Sequence, residues 1–290
     1  MKDACSLPHP DAEACLEAIN GIAAAESLEE VWRLSVAAFN RDGFERINYG
    51  YTRYRTGLGI GDPLDALFLS THSLEKVIAF HESGLYLKSA DFRWVRENVG
   101  AMPWGWVNAE RAAGRLSAEE ANAVDTLGAA RRRAGHSISF PEGLARAKGA
   151  MGLGAPEGVG QAELTEWWGQ FGAAVMAIAN IAHFRISQMS LPAPRVVLTE
   201  RQREVLDWIA DGKSLQDVCV IMGLSLSAVE KHLAKARELL SVETTAQAVV
   251  KLAFLNQLFV KNHALTPALT LKNPISEGYG LRLDCVWLAS

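Results

Sequence analysis

The chain has 290 residues, of which 49% are hydrophobic and 21% charged, and its formal net charge is −4. That length supports two domains with separate cores, and the composition is that of an ordinary globular protein, not a disordered or fibrous one. The opening MKDACSLPHPDAE has no apolar signal core and no apolar run reaches bilayer length, so neither a secretory leader nor a membrane span is expected.

In chain order, Ala14, Cys15, Ala18, Ile19 and Ile22 form a first amphipathic stripe. Ser27 with Glu30 caps a second helix through Phe39, and Asn40-Arg41-Asp42-Gly43 stops it. Residues Ile47 to Tyr54 alternate as a strand. Gly57-Leu58-Gly59-Ile60-Gly61 is read as a plain loop, because neither a helix start nor a lysine follows, as a phosphate loop would require. Ser73 opens a helix to about Glu82, and an irregular Trp-rich stretch follows it. Ser117 with Glu120 caps a further helix to Arg133. His136–Phe140 and Ala150–Leu153 read as short strands, and Glu163–Gln188 as a long helix. Helices interleaved with antiparallel strands point to an α/β/α sandwich rather than a βαβ winding. Leu191-Pro192-Ala193-Pro194 reads as a stiffened linker.

The next sixty residues are punctuated by caps and breakers. Thr199 with Gln202 is a capping box, Val205, Leu206 and Ile209 recur at helical spacing, and Gly212 ends the helix. Ser214 with Asp217 opens a second helix carrying Leu215, Val218, Cys219 and Met222 inward. After the sharp Gly223-Leu224-Ser225 corner, Ser227 with Glu230 is expected to open a third helix, buried through Val229, Leu233, Ala236 and Leu240. A fourth spans Ala246–Gln257. Two helices across a short Gly turn, the second basic on its outer side, is the helix-turn-helix arrangement. The chain is therefore expected to be α+β. Residues 1–188 form the sandwich, 189–197 a linker, 198–258 an all-α four-helix domain and 259–290 an extension. In that extension Leu281, Leu283, Cys285 and Trp287 alternate as a strand, with Leu269 and Leu271 on a possible hairpin partner.

Leu198-Thr199, Glu204-Val205-Leu206, Gly212-Lys213-Ser214, Val229, His232 and Leu239-Leu240 stand at the spacing of the LuxR/GerE helix-turn-helix, and the segment resembles that family. It departs at Gln202, where the family usually has Glu. The N-terminal region resembles the family's autoinducer-binding domain, which recognises acyl-homoserine lactones. Asp91 stands fifteen positions before Trp106, Gly135 precedes a strand, and Met102-Pro103-Trp104-Gly105-Trp106 is similar to the segment bearing the family's pocket tryptophan. The resemblance implies that Asp91 accepts a ligand amide and that Trp106 walls the ligand. It also implies departures. Ile78 and Glu82, or Val77 and His81 with a one-residue slip, stand where the family has Trp and Tyr, and Phe92 replaces a Pro. Losing the indole donor leaves a ligand carbonyl unpaired at a cost of about 1–3 kcal/mol, so a pocket not tuned to standard lactones is expected.

Tyr49, Tyr51, Tyr86, Trp94, Trp104 and Trp106 concentrate aromatics beside Asp91, with Ile78 and His81 as further candidates for a ligand-accepting cavity. The alternative is a filled core in which Asp91 caps a turn. Cys5, Cys15, Cys219 and Cys285 have no metal or redox spacing and read as reduced thiols of a cytoplasmic protein. No cluster has metal-ligand spacing and no nucleophile–base arrangement stands out, so neither a cofactor nor catalysis is expected.

On double-stranded DNA, the third helix would present Ser227, Glu230, Lys231 and Ala234 to base edges, with Lys213, Ser214, Lys235 and Arg237 on phosphates. Residues 195–261 carry nine Lys/Arg against eight Asp/Glu, so the counterion-release term per subunit is small. The fourth helix leaves Val249, Val250, Ala253 and Phe254 outward, and the resemblance implies that it pairs two modules into a homodimer with half-sites about one helical turn apart. Three readings follow: a dimeric, small-molecule-responsive regulator; a ligand-independent regulator of the same fold; and an interaction module that blocks a related regulator.

Overall fold

A computed structural model describes residues 7–53, 55, 66–73, 83–127, 133–190 and 198–259. The loop at 57–61, all of the helix opened by Ser73 beyond that first residue (with Ile78 and His81), the Pro linker and the C-terminal hairpin of the sequence reading lie outside these residues. The chain divides after Ser187 into two compact units.

In the first unit, α1 (Ala12–Ala24) is capped by the Asp11 carboxylate, which accepts from the Ala14 amide, and α2 (Leu28–Arg41) by Ser27. The sheet has five strands, β1 (Arg46–Thr52), β2 (Ala66–Ser70), β3 (Gly100–Pro103), β4 (Gly135–Ser139) and β5 (Lys148–Gly154). Their order is β2-β1-β5-β4-β3, and every neighbouring pair is antiparallel. Two of these strands escape a sequence reading. β2 is only five residues long, and β3 contains Gly100 and Pro103, both of which count against a strand. Proline is tolerated there because β3 is an edge strand.

The expected irregular Trp-rich stretch is instead ordered as a 3-10 turn (Leu85–Lys88), α3 (Ala90–Glu97), β3 and α4 (Gly105–Ala112). It is followed by α5 (Ala118–Leu127), where Ser117 and Glu120 exchange backbone–side-chain bonds of 2.8 and 3.2 Å. The last helix, α6 (Gln161–Gln188), buries Leu164, Trp167, Val175, Ala179, Ala182 and Ile186 at helical spacing.

Strand alternation gives the sheet two unlike faces. The inner face carries Ile47, Tyr49, Tyr51, Leu67, Leu69, Met151, Leu153 and His136 and meets α6. Ring contacts with α6 fix this assignment: His136 stacks on Trp168 at 3.9 Å, and His183 stacks on Phe140 at 4.3 Å. The outer face carries Arg46, Asn48, Gly50, Phe68, Ser70, Ser137, Ala150, Gly152 and Gly154. The α3 layer joins this outer side, where the Ser139 hydroxyl donates to the Val95 and Asn98 carbonyls at 2.8 and 2.6 Å.

The second unit comprises α7 (Glu200–Ala210), α8 (Leu215–Met222), α9 (Leu226–Leu239) and α10 (Thr245–Phe254). Thr199/Gln202, Ser214/Asp217 and Thr244/Gln247 are complete capping boxes. The third box, absent from the sequence reading, starts the fourth helix one residue earlier than expected. Val205, Leu206, Val218, Val229, Ala236 and Leu252 form a fully buried core. Removing one such side chain would forfeit about 1.5–3 kcal/mol of burial.

One boundary is corrected. Ser225, not Ser227, caps α9 by accepting from the Ala228 amide at 3.3 Å. Gly223 turns the chain in the left-handed region (φ +64) and the Leu224 amide closes back on the Cys219 carbonyl at 3.0 Å. That closure makes Ser225 the first extended residue, so the helix begins there. The Ser227-x-x-Glu230 pattern fits a capping box in sequence, yet it falls inside the first turns.

Candidate functional site

The candidate ligand residues are distributed over three layers. Tyr49 and Tyr51, read as pocket aromatics, point to the inner face. Tyr49 is 2% exposed and its hydroxyl lies 2.9 Å from His183 Nδ1; the Tyr51 hydroxyl accepts from Arg53 Nε at 3.1 Å. Burial holds both phenols above their ordinary pKa, so they keep their protons. This corrects the sequence reading, because a period of two sends these tyrosines away from the face that bears Trp104.

Trp104 covers the outer face. Its indole leaves no room for a Cβ on Gly135, passes 3.2 Å from one on Gly154 and 3.7 Å from one on Gly152, and donates from Nε1 to Ser137 Oγ at 3.0 Å. Beside it, the Ser70 hydroxyl donates to Asn48 Oδ1 at 2.6 Å, and the Phe68 ring stands against Gly50. Asn48, Ser70 and Ser137 are half-buried polar groups on a floor of glycine and alanine, which is the chemistry of a small-molecule surface: an apolar bed with a few handles. Sequence reasoning missed this set. Its signal was the spacing of Gly152, Gly154 and Gly135, which marks places where something large approaches the backbone.

The remaining candidates sit in the helical layer. Trp106 packs against the small core of Ala90, Val107 and Val124. The Arg93 guanidinium lies over the Trp106 ring at 5.7 Å and pairs with Glu120 at 2.5 Å. Tyr86 meets Phe92 edge-on at 6.0 Å. Asp91 is half-buried in the first turn of α3, whose cap is Ser89, accepting from the Phe92 amide at 3.2 Å. Asp91 is thus not the N-cap of α3. Its carboxylate lies where the helix dipole favours a negative charge.

In the second unit, α8 and α9 meet across Gly223-Leu224 as a helix-turn-helix. On α9, Ser227, Lys231, Ala234 and Glu238 share an exposed stripe flanked by Glu230 and Lys235. Lys235 Nζ lies 2.9 Å from both Glu238 oxygens, so its charge is partly spent within the helix. Glu230 takes no part in the cap and stands exposed beside Lys231. Arg237 is half-buried and reaches Thr245 Oγ1 at 3.4 Å, toward α10. At the α8 N-terminus the Ser214 hydroxyl is bonded to the Asp217 carboxylate at 2.6 Å, and these bonds hold the Asp217 pKa below its ordinary value. A carboxylate therefore already fills the anion position there, which leaves Lys213 as the cation of that corner.

On α10, Val250 and Ala253 are exposed, whereas Val249 and Phe254 are half-buried, and Val249 packs on the unit's own core. Among the described residues, no helix is long and apolar enough to cross a membrane, and no group of three or more His, Cys, Asp or Glu could hold a metal ion.

Comparison with known proteins bears on both units. Residues 196–252 match the family described as bacterial regulatory proteins, luxR family. The chain is 27% identical over 240 residues to the transcriptional activator protein SolR of Ralstonia solanacearum, covering 81% of this chain and 94% of that protein. It is 34% identical over 80 residues to the HTH-type quorum sensing-dependent transcriptional regulator RpaR of Rhodopseudomonas palustris, covering 27% of this chain and 33% of that one. Among solved structures, that of SdiA from Escherichia coli is 13% identical, covers 86% of this chain and 99% of its own, and has a TM-score of 0.46.

Proposed function

We propose, from the match of residues 196–252 to the luxR family of bacterial regulatory proteins, that the chain is a quorum-sensing LuxR-type transcription regulator whose first unit answers to a small molecule other than a standard acyl-homoserine lactone. It acts by binding a DNA operator, not by catalysis. The observation that carries the DNA half is the α8–α9 helix-turn-helix. Its capped helices and left-handed glycine turn present Ser227, Glu230, Lys231 and Ala234 outward to a major groove, with Lys213 and Lys235 on the backbone. Val250 and Ala253 on α10 serve as the seam of a homodimer, which sets two half-sites about one helical turn apart.

The sensor half is supported by the outer face of the sheet. Asn48, Ser70 and Ser137 supply polar handles over the glycine floor, Trp104 closes one end, and Asp91 and Trp106 keep the family's spacing in the neighbouring helices. Ile78, or Val77, removes the indole donor that would hold a lactone carbonyl, and His81 or Glu82 removes the phenol. Two experiments test this reading. Selection from random duplexes with the full-length chain yields a two-fold symmetric site if the DNA half is right. Native mass spectrometry of the purified protein, followed by calorimetry with unmodified lactones, tests the sensor half. Submicromolar lactone binding would refute the altered pocket.

A further inference from the structure

β1 has a different task on each side. On the outer side, Asn48 and Gly50 belong to the proposed ligand-facing floor, and Asn48 is bonded to Ser70. On the inner side, Tyr49 lies 2.9 Å from His183 Nδ1, and His183 Nε2 lies 3.2 Å from Glu142 Oε1. At the end of the strand the buried Arg53 donates to the Tyr51 hydroxyl and to the Ser187 carbonyl in the last turn of α6. Residue 188 is the last of α6, and in sequence the DNA-binding unit follows it.

The inner contacts form a loosely closed network. The Tyr49 hydroxyl keeps its proton and lies within hydrogen-bond reach of His183 Nδ1, while His183 Nε2 faces Glu142. Glu142 Oε1 is buried, yet it makes no aligned hydrogen bond despite the 3.2 Å approach of His183 Nε2. A small rotation of His183 would align it. Close-packed interiors do not deform continuously, so a displaced β1 resolves into one arrangement of these groups or another.

We propose that β1 is the coupling strand of this protein: Tyr49 and Arg53 pass the state of the outer face, through His183 and Ser187, to the last turns of α6. The proposal rests on the outer face being the ligand-facing one, as proposed above. It needs no further site, because alternate residues of one strand touch both surfaces.

The test is a double-mutant cycle read by amide hydrogen exchange on the full chain. Asn48→Ala breaks the Asn48–Ser70 bond on the outer face. It is expected to change exchange at residues 181–188 by roughly two- to tenfold. In a Tyr49→Phe background, which keeps the ring and removes only the hydroxyl, the same change should largely vanish. Arg53→Gln provides a second break, at the Tyr51 hydroxyl and the Ser187 carbonyl, and it should likewise blunt the response. No response of residues 181–188 to Asn48→Ala, or one of equal size with Tyr or Phe at position 49, overturns the coupling. The sensor reading fails separately: a purified protein that carries and binds no small molecule, while the cycle remains non-additive, retires the ligand and leaves the coupling standing.

Discussion

The indole of Trp104 occupies the space that a side chain on Gly135 would need: an added Cβ would fall 2.3 Å from Cε3 and 2.4 Å from Cζ3. Because the backbone of Gly135 is not in the left-handed region, the obstacle to a larger residue is steric alone. Gly135→Ala is therefore expected to destabilise the first unit by about 1–3 kcal/mol through overpacking. Trp104→Leu in the same chain should relieve most of that loss, so the two changes are non-additive. Urea unfolding of the single and double variants checks this. Strictly additive losses would mean that the indole does not rest on that glycine.

This pairing shows where the sequence was legible and where it was not. Caps are local, so Thr199/Gln202, Ser214/Asp217, Ser27 and Ser117/Glu120 could all be read in advance. The cap of α9 could not: the Ser227/Glu230 pattern points to Ser227, whereas the cap falls on Ser225 because of how the Gly223 turn closes onto Cys219. The tryptophans around 94–106 were visible as a group, but their assignment to a helical layer or to the sheet floor depends on strands β2 and β3. A five-residue strand and one containing both Gly and Pro carry almost no local signal. The alternation of Tyr49 and Tyr51 against Asn48 and Gly50 was plain. Which side faced α6 was not, because a strand pattern names two faces without saying what covers each.

His136 gives the fold a measurable dependence on pH. It is 2% exposed, stacked on Trp168, and its Nδ1 has no hydrogen-bond partner; burial pulls its pKa down from 6.5 to about 4. Below pH 6.5 the unfolded chain binds a proton that the folded chain refuses. Stability therefore falls as pH drops from about 6.5 to about 4 and levels off below, with no contribution above that window. At about 1.4 kcal/mol per pH unit the loss is on the order of 3 kcal/mol. Carboxylates titrate nearby, so the check is the difference between the native chain and His136→Phe, which keeps a stacking ring. Parallel stability–pH curves for the two would show that His136 does not carry the loss.

The outward face of α9 is nearly neutral, since Glu230 and Glu238 accompany Lys231 and Lys235. Lys231→Ala is expected to weaken binding to the selected operator by about 1–3 kcal/mol, with little effect on random duplex. Lys235→Ala should weaken both alike and reduce the magnitude of the salt slope by about one. Glu238→Gln frees Lys235 from its internal pair and should strengthen binding to every duplex. Titrations at several salt concentrations, on operator and on scrambled DNA, separate the three. Equal losses on both DNAs for Lys231→Ala and Lys235→Ala would remove the division between groove and backbone.

Asp91 offers the sharpest separation of a sensor from a filled core. Ser89 caps α3, so that cap does not depend on Asp91, whose charge in the first helical turn is worth about 0.3–1 kcal/mol to the helix. Asp91→Asn keeps the shape and removes that charge, and the change in melting temperature of ligand-free protein measures what the carboxylate does for the fold. A bound amide or amine donating to the carboxylate adds a charge-assisted bond worth about 1.5–3 kcal/mol. The stabilisation conferred by ligand should then shrink by about that amount in the variant. Trp106 cannot answer the same question, because it packs on Val107 and lies beneath Arg93, and Trp106→Ala would cost about 3–5 kcal/mol in either state. The measurement is thermal unfolding of Asp91→Asn with and without the molecule recovered by native mass spectrometry. A deficit confined to the liganded state assigns Asp91 to the ligand, whereas an equal deficit in both states assigns it to the fold.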